Sequence, residues 1–120
     1  MPAPYMTIGV IGGSTTSKEN AAAAYEVGRL IARNGAVLVC GGLGGIMVAA
    51  GKGAHEAGGR VVGILPGENK DEANPYVSLA IPTGMGVGRN MLVVRASDVL
   101  IAFPGSFGTL SEIALGLNVG

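Results

Sequence analysis

The run Ser97-Asp98-Val99-Leu100-Ile101-Ala102-Phe103-Pro104-Gly105-Ser106-Phe107-Gly108-Thr109-Leu110-Ser111-Glu112 constrains the fold more than any other part of this chain. It reads as a strand, a glycine loop and the opening of a helix. Val99 to Phe103 is a continuous apolar run, the pattern of a parallel strand covered on both faces. Gly105 and Gly108 let the backbone turn sharply and approach a ligand with no Cβ in the way. Thr109 and Glu112 then open a helix, whose free backbone N–H groups and positive dipole end favour a phosphate or another anion. In open α/β sheets ligands bind at that place, beyond the carboxyl end of a strand.

The same arrangement recurs upstream. Thr7 to Ile11 reads as a strand that ends in Gly12, Gly13 and Ser14. Ala36 to Val39 reads as a second strand, followed by a loop holding Gly41, Gly42, Gly44 and Gly45. Val61 to Leu65 is a third, stopped by Pro66, and Val77 to Ile81 is a weaker fourth, bounded by Pro82. Between them, Thr16-Ser17-Lys18-Glu19 has the form of a capping box, opening a helix with Ala23, Val27, Leu30 and Ile31 as its buried stripe. Asn34-Gly35 closes that helix, a second runs from about Ile46 to Glu56, and a third from about Arg89 to Ala96. The polar stretch Gly67 to Pro75 is expected to be a surface loop over the site. Alternation of strands and helices with short connections predicts a Rossmann-like α/β domain over residues 1–120, a doubly wound parallel sheet with right-handed crossovers. The last helix has barely begun at Gly120. The chain is therefore expected either to be truncated or to have its sheet edge covered by a partner, as in a homodimer or higher homo-oligomer.

Composition narrows the function. Eight acidic and eight basic residues balance, with no basic cluster, which argues against nucleic-acid binding by phosphate neutralisation. The lone Cys40 excludes an internal disulfide and fits a reducing compartment. Met1-Pro2-Ala3-Pro4-Tyr5 has neither a charged nor an apolar signal region, and no apolar run approaches a membrane span, so a soluble cytoplasmic protein is expected. The 22 glycines cluster at strand ends without a repeat, which speaks for tight βα turns.

The glycine segments carry a family likeness. Pro104-Gly105-Ser106-Phe107-Gly108-Thr109-Leu110-Ser111-Glu112 resembles the Pro-Gly-Gly-x-Gly-Thr-x-x-Glu signature of the Lonely Guy (LOG) family, often mislabelled lysine decarboxylase-like. Three segments in the family's order add to it: Gly9 to Ser14, Cys40 to Met47, and Gly88-Arg89-Asn90. The resemblance covers nearly the whole chain, and is nearer to the branch that includes molybdenum cofactor carrier proteins. It implies either a nucleotide or molybdenum cofactor bound as a small phosphorylated ligand, with no cofactor required, or a phosphoribohydrolase that releases a base from a nucleoside 5′-monophosphate. By the same likeness Arg89 and Glu112 match ligand or catalytic groups. Two departures lean towards binding: Ser106 stands where the family has its second glycine, and Asn90 replaces the lysine of the hydrolases' Arg-Lys pair.

Each motif also has a plainer reading. A glycine loop after a strand can be no more than a tight turn. Thr109-x-x-Glu112 is itself a capping box, a role compatible with orienting a ribose hydroxyl. Arg89 is the wrong sign for a helix start, which calls for an anionic partner, whereas Arg95 suits a helix end. His55 has no second ligand at metal spacing, and Cys40 reads as a small buried hydrophobe. Nicotinamide dinucleotide binding is disfavoured, because strand one lacks Gly-x-Gly-x-x-Gly and strand two ends without an acid. Lys18, Lys52 and Lys70 all sit in polar settings unsuited to a Schiff base, which disfavours decarboxylation.

Overall fold

The computed structural model describes residues 5–103. Five strands, β1 (Thr7–Ile11), β2 (Val37–Cys40), β3 (Val61–Leu65), β4 (Leu79–Pro82) and β5 (Val99–Ala102), form one parallel sheet in the order β4-β3-β2-β1-β5. The chain steps outward from β1 to β4 and then returns to the other side of β1. The strand order therefore reverses between β1 and β5, the switch point at which doubly wound sheets open a crevice.

Helices α1 (Lys18–Arg33) and α2 (Ile46–Glu56) cover one face, and α3 (Arg89–Arg95) the other, as crossovers of constant hand require once the direction reverses. The alternation of the strands follows from this. Val10, Leu38, Cys40 and Val61 pack with Ala24, Ile31, Ala50 and Ala54 of the helix pair. Ile11, Val39 and Ile64 turn the other way, onto Val93 of α3. Both faces of the three central strands are thus apolar, which is why β1 to β3 read as unbroken hydrophobic runs. β5 is less covered than its sequence implies: among the described residues it is an edge strand, with Val99 and Ala102 exposed.

The α1–α2 contact corrects the expected stripe. Ala24, Gly28 and Ile31 are buried, whereas Ala23 is exposed and Leu30 is 46% exposed. The helices cross where neither has a side chain. A Cβ on Gly28 would overlap the Ala50 carbonyl oxygen, and one on Gly53 would overlap the Tyr25 carbonyl oxygen. Backbone meets backbone there, so the buried face centres on a glycine and not on the largest apolar residues. At the far end of the pair, the Tyr25 hydroxyl donates to Glu56 at 2.5 Å, which holds the phenol above its ordinary pKa. Beside it Arg29 pairs with Glu26, which draws that carboxyl below its usual range.

Three boundaries shift for identifiable reasons. Ser17, not Thr16, caps α1, with its Oγ accepting from Asn20 N–H at 3.1 Å, while Thr16 Oγ1 is buried without a hydrogen-bond partner. β2 starts one residue late because Ala36 N–H is used to close α1, bonding to the Ile31 carbonyl at 3.1 Å. β4 starts at Leu79 and includes Pro82, which an edge strand accepts because its outer side needs no donor.

β5 is pinned to β1 at the amino edge of the sheet. Thr7 N–H donates to Asp98 Oδ2 at 2.9 Å, Asp98 N–H returns to the Thr7 carbonyl at 2.8 Å, and Thr7 Oγ1 donates to the Ala96 carbonyl at 2.6 Å.

Three expectations follow for stability measured by urea unfolding. Gly28→Ala should destabilise by about 1–3 kcal/mol, the range for overpacking, because the atom it meets is backbone and cannot rotate away. Ser17→Ala should cost about 1 kcal/mol as a lost cap. Thr16→Val should cost nothing or stabilise, since it removes an unsatisfied buried hydroxyl.

Candidate functional site

The loops that follow β1 and β2 are joined at the carboxyl edge of the sheet. Ile46 N–H, the first amide of α2, donates to the Gly13 carbonyl at 3.1 Å. Gly45 precedes it in the left-handed region, at φ 63°, and a Cβ there would overlap the Gly13 carbonyl and lie 2.6 Å from that of Ser14. Gly44 also faces the Ser14 carbonyl, and Gly12 lies flat against Ile46, which is fully buried. The structure therefore brings Gly12, Gly13 and Ser14 together with Gly41, Gly42, Gly44 and Gly45. No side-chain cap occupies the N-terminus of α2 and no acid lies in its first turn, so its positive end is uncompensated by a local carboxylate.

Arg89 reaches the same edge from the opposite face. It follows a 3-10 turn, Gly86–Gly88, that runs straight into α3. Its guanidinium lies over Gly41, where any Cβ would collide with Nη1, and a long contact of 3.5 Å reaches the Ile64 carbonyl. The side chain is thus half-buried at the ends of β2 and β3, supplying the cation that a helix start disfavours and an anion would need. Its neighbour Asn90, where the resemblance leads one to expect lysine in a hydrolase, is only 4% exposed, a neutral interior group. Gly105, Ser106, Phe107, Gly108, Thr109 and Glu112 lie outside the described residues. The last bond towards them is Phe103 N–H to the Ile11 carbonyl at 2.9 Å, which sets the exit of β5 beside the loop after β1.

Two residues that sequence reasoning passed over also shape this edge. Asn74, in the connection between β3 and β4, donates from its backbone N–H to the Gly42 carbonyl at 2.8 Å and from Nδ2 to the Leu43 carbonyl at 2.9 Å. Thr83 bonds the end of β3 through Oγ1 to the Leu65 carbonyl at 2.7 Å and accepts Met85 N–H at 3.1 Å, steering the chain towards Arg89. The signal for Asn74 was its Asn-Pro pair, a turn initiator whose side chain captures a nearby amide. Of the other residues, His55 is exposed and its ring meets that of Tyr76, Cys40 is fully buried, and Arg95 is exposed in the last turn of α3. Among the described residues no three His, Cys, Asp or Glu gather as a metal site, and no helix is long and apolar enough to cross a membrane.

Comparison with known proteins agrees with this architecture. The profile of the SLOG cluster4 family matches residues 5–120. The chain is 33% identical over 110 residues to the cytokinin riboside 5′-monophosphate phosphoribohydrolase LOG5 of Arabidopsis thaliana, covering 87% of this chain and 48% of the relative. It spans about half the length of that plant enzyme. The molybdenum cofactor binding protein of Rippkaea orientalis superposes with a TM-score of 0.88 at 41% identity, over 99% of this chain and 73% of the other. The molybdenum cofactor carrier protein of Chlamydomonas reinhardtii superposes with a TM-score of 0.89 at 37% identity, over 97% and 72%. From its strand order, its glycine-lined carboxyl edge and this likeness, the chain belongs to the SLOG cluster4 family, a LOG-like family close to the molybdenum cofactor carriers.

Proposed function

We propose that this chain binds a small phosphorylated ligand, a nucleotide or molybdenum cofactor, across the carboxyl edge of its sheet. One observation carries the reading: the two glycine loops are knitted together with the Arg89 guanidinium packed on Gly41, where no larger residue fits. A cradle of backbone at a helix N-terminus plus a half-buried cation suits a phosphate monoester. The likeness at 37–41% identity to proteins described as binding or carrying molybdenum cofactor supports that cofactor as cargo. Gly12 to Ser14, Gly41 to Gly45 and Arg89 would hold its phosphate end, with Gly105 to Thr109 completing the cradle. In this reading the cofactor is what the protein hands on, so no reaction step is assigned to it.

Mass-spectrometric identification of a co-purifying ligand tests this directly. In an AMP titration followed by amide NMR, the signals of residues 12–14, 41–45 and 105–109 should move. If they stay fixed while others shift, the site is elsewhere. Arg89→Ala should weaken binding by roughly 1.5–3 kcal/mol, the scale of a hydrogen bond to a charged group, with little loss of stability. Unchanged affinity with a lowered melting temperature would make Arg89 a structural residue.

The second reading, a phosphoribohydrolase, draws on the 33% identity to the plant enzyme and on Glu112. It needs a carboxylate beside the ribose in the transition state, which binding alone does not. The buried, neutral Asn90 favours the carrier reading over it. We therefore expect wild type to release no free base from AMP. If ribose 5-phosphate does form, Glu112→Gln should cut turnover by about a hundredfold or more while leaving binding intact, as for a lost acid–base group.

A further inference from the structure

We propose that Asn74 is a positioning residue for this site: it holds the Gly41–Gly45 loop in the shape that meets the ligand, an inference that rests on the ligand reading above. The residue lies in a connection that touches the site from outside, yet its polar groups converge on the loop and on its own turn. Its backbone N–H and its Nδ2 take the carbonyls of two successive loop residues, Gly42 at 2.8 Å and Leu43 at 2.9 Å. Its Oδ1 accepts Tyr76 N–H at 3.0 Å. Carbonyls only accept, so the amide orientation is fixed by its partners.

The direction of these bonds matters more than their number. In a trans peptide the carbonyl and the following N–H point to opposite sides of the chain. Anchoring the Gly42 and Leu43 carbonyls to Asn74 therefore turns the N–H groups of Leu43 and Gly44 away from the β3–β4 connection. A loop with four glycines among five residues has only the apolar Leu43 side chain, packed on the core, and no polar side chain of its own to enforce that choice. Gly42 and Gly45 both sit at positive φ, at 78° and 63°, where glycine exchanges easily with other conformations. Leu65 closes one side, 2.7 Å from where a Cβ on Gly42 would stand, but it grips no polar group. Asn74 supplies the polar grip.

The competing account is local: Asn74 could serve only its own turn through the bond from Tyr76 N–H. Aspartate separates the two. Asn74→Asp keeps an acceptor for Tyr76 but has no donor for the Leu43 carbonyl, whereas Asn74→Ala loses both. The test uses the ligand-free full chain, with hydrogen exchange and NMR of the amides of residues 41–45, followed by AMP titration. Both variants should exchange at Leu43 to Gly45 about tenfold faster or more, and bind AMP about tenfold more weakly, because a smaller fraction of molecules holds the receptive loop. Melting temperatures should stay within about a few degrees of wild type. Wild-type behaviour of Asn74→Asp, or unchanged loop exchange in both variants, overturns the proposal. Wild type that takes up no AMP sinks the ligand reading alone, and loop exchange then decides whether Asn74 positions these residues.

Discussion

The hydrogen bond from Ile46 N–H to the Gly13 carbonyl ties two consecutive βα loops into one surface, and the rest of the carboxyl edge is arranged around it. It requires the first turn of α2 to come within backbone distance of the loop after β1. That approach in turn excludes side chains at Gly12 and Gly45. The same contact fixes where the N-terminus of α2 points. A fold that places a helix dipole, two flexible loops and a cation within one crevice needs some rigid reference, and here it is a single main-chain bond flanked by residues without Cβ atoms.

Charge is distributed to match. The formal net charge is zero, yet no acid lies in the first turn of α2 while Arg89 reaches over Gly41. The acids of the β3–β4 connection, Glu68, Asp71 and Glu72, are exposed, and Glu72 is occupied in capping the turn that begins at Asn69. Among the described residues, these basic and acidic groups thus occupy different stretches of a chain that is neutral overall.

Much of this was legible in the residues. The strands β1 and β3 appear at their expected bounds because both faces are covered and the apolar runs are complete. Helix α2 was equally plain, being framed by Gly45 and by Gly58 at φ 80°. What misled was any inference that equates burial with side-chain size. Leu30 looked like core, yet Gly28 lies at the helix crossing, because close approach rewards the absence of a side chain. The cap of α1 shifted by one residue because Thr16 and Ser17 offer the same chemistry and only backbone geometry chooses between them. Of the candidate site, the glycines and a cation at a helix start stand out in the sequence. At Asn74 the Asn-Pro pair signals only a turn, whereas the main-chain carbonyls it holds are some thirty positions away, at a separation of 31 residues for Leu43. Such a bond leaves no periodic or compositional trace.

The pairing of Thr7 with Asp98 has a consequence at a distance. It lies at the amino edge of the sheet, yet it fixes which residue of β5 stands opposite which residue of β1, through to Ile11 beside Ala102. Strands transmit such an alignment without slack: each residue advances about 3.3 Å, and a slip by one would turn every side chain of β5 to the other face. The position of Phe103 against Ile11 is therefore set about 15 Å away, by one carboxylate and one hydroxyl at the opposite edge of the sheet. In this fold the alignment of β5 is decided before the strand itself begins.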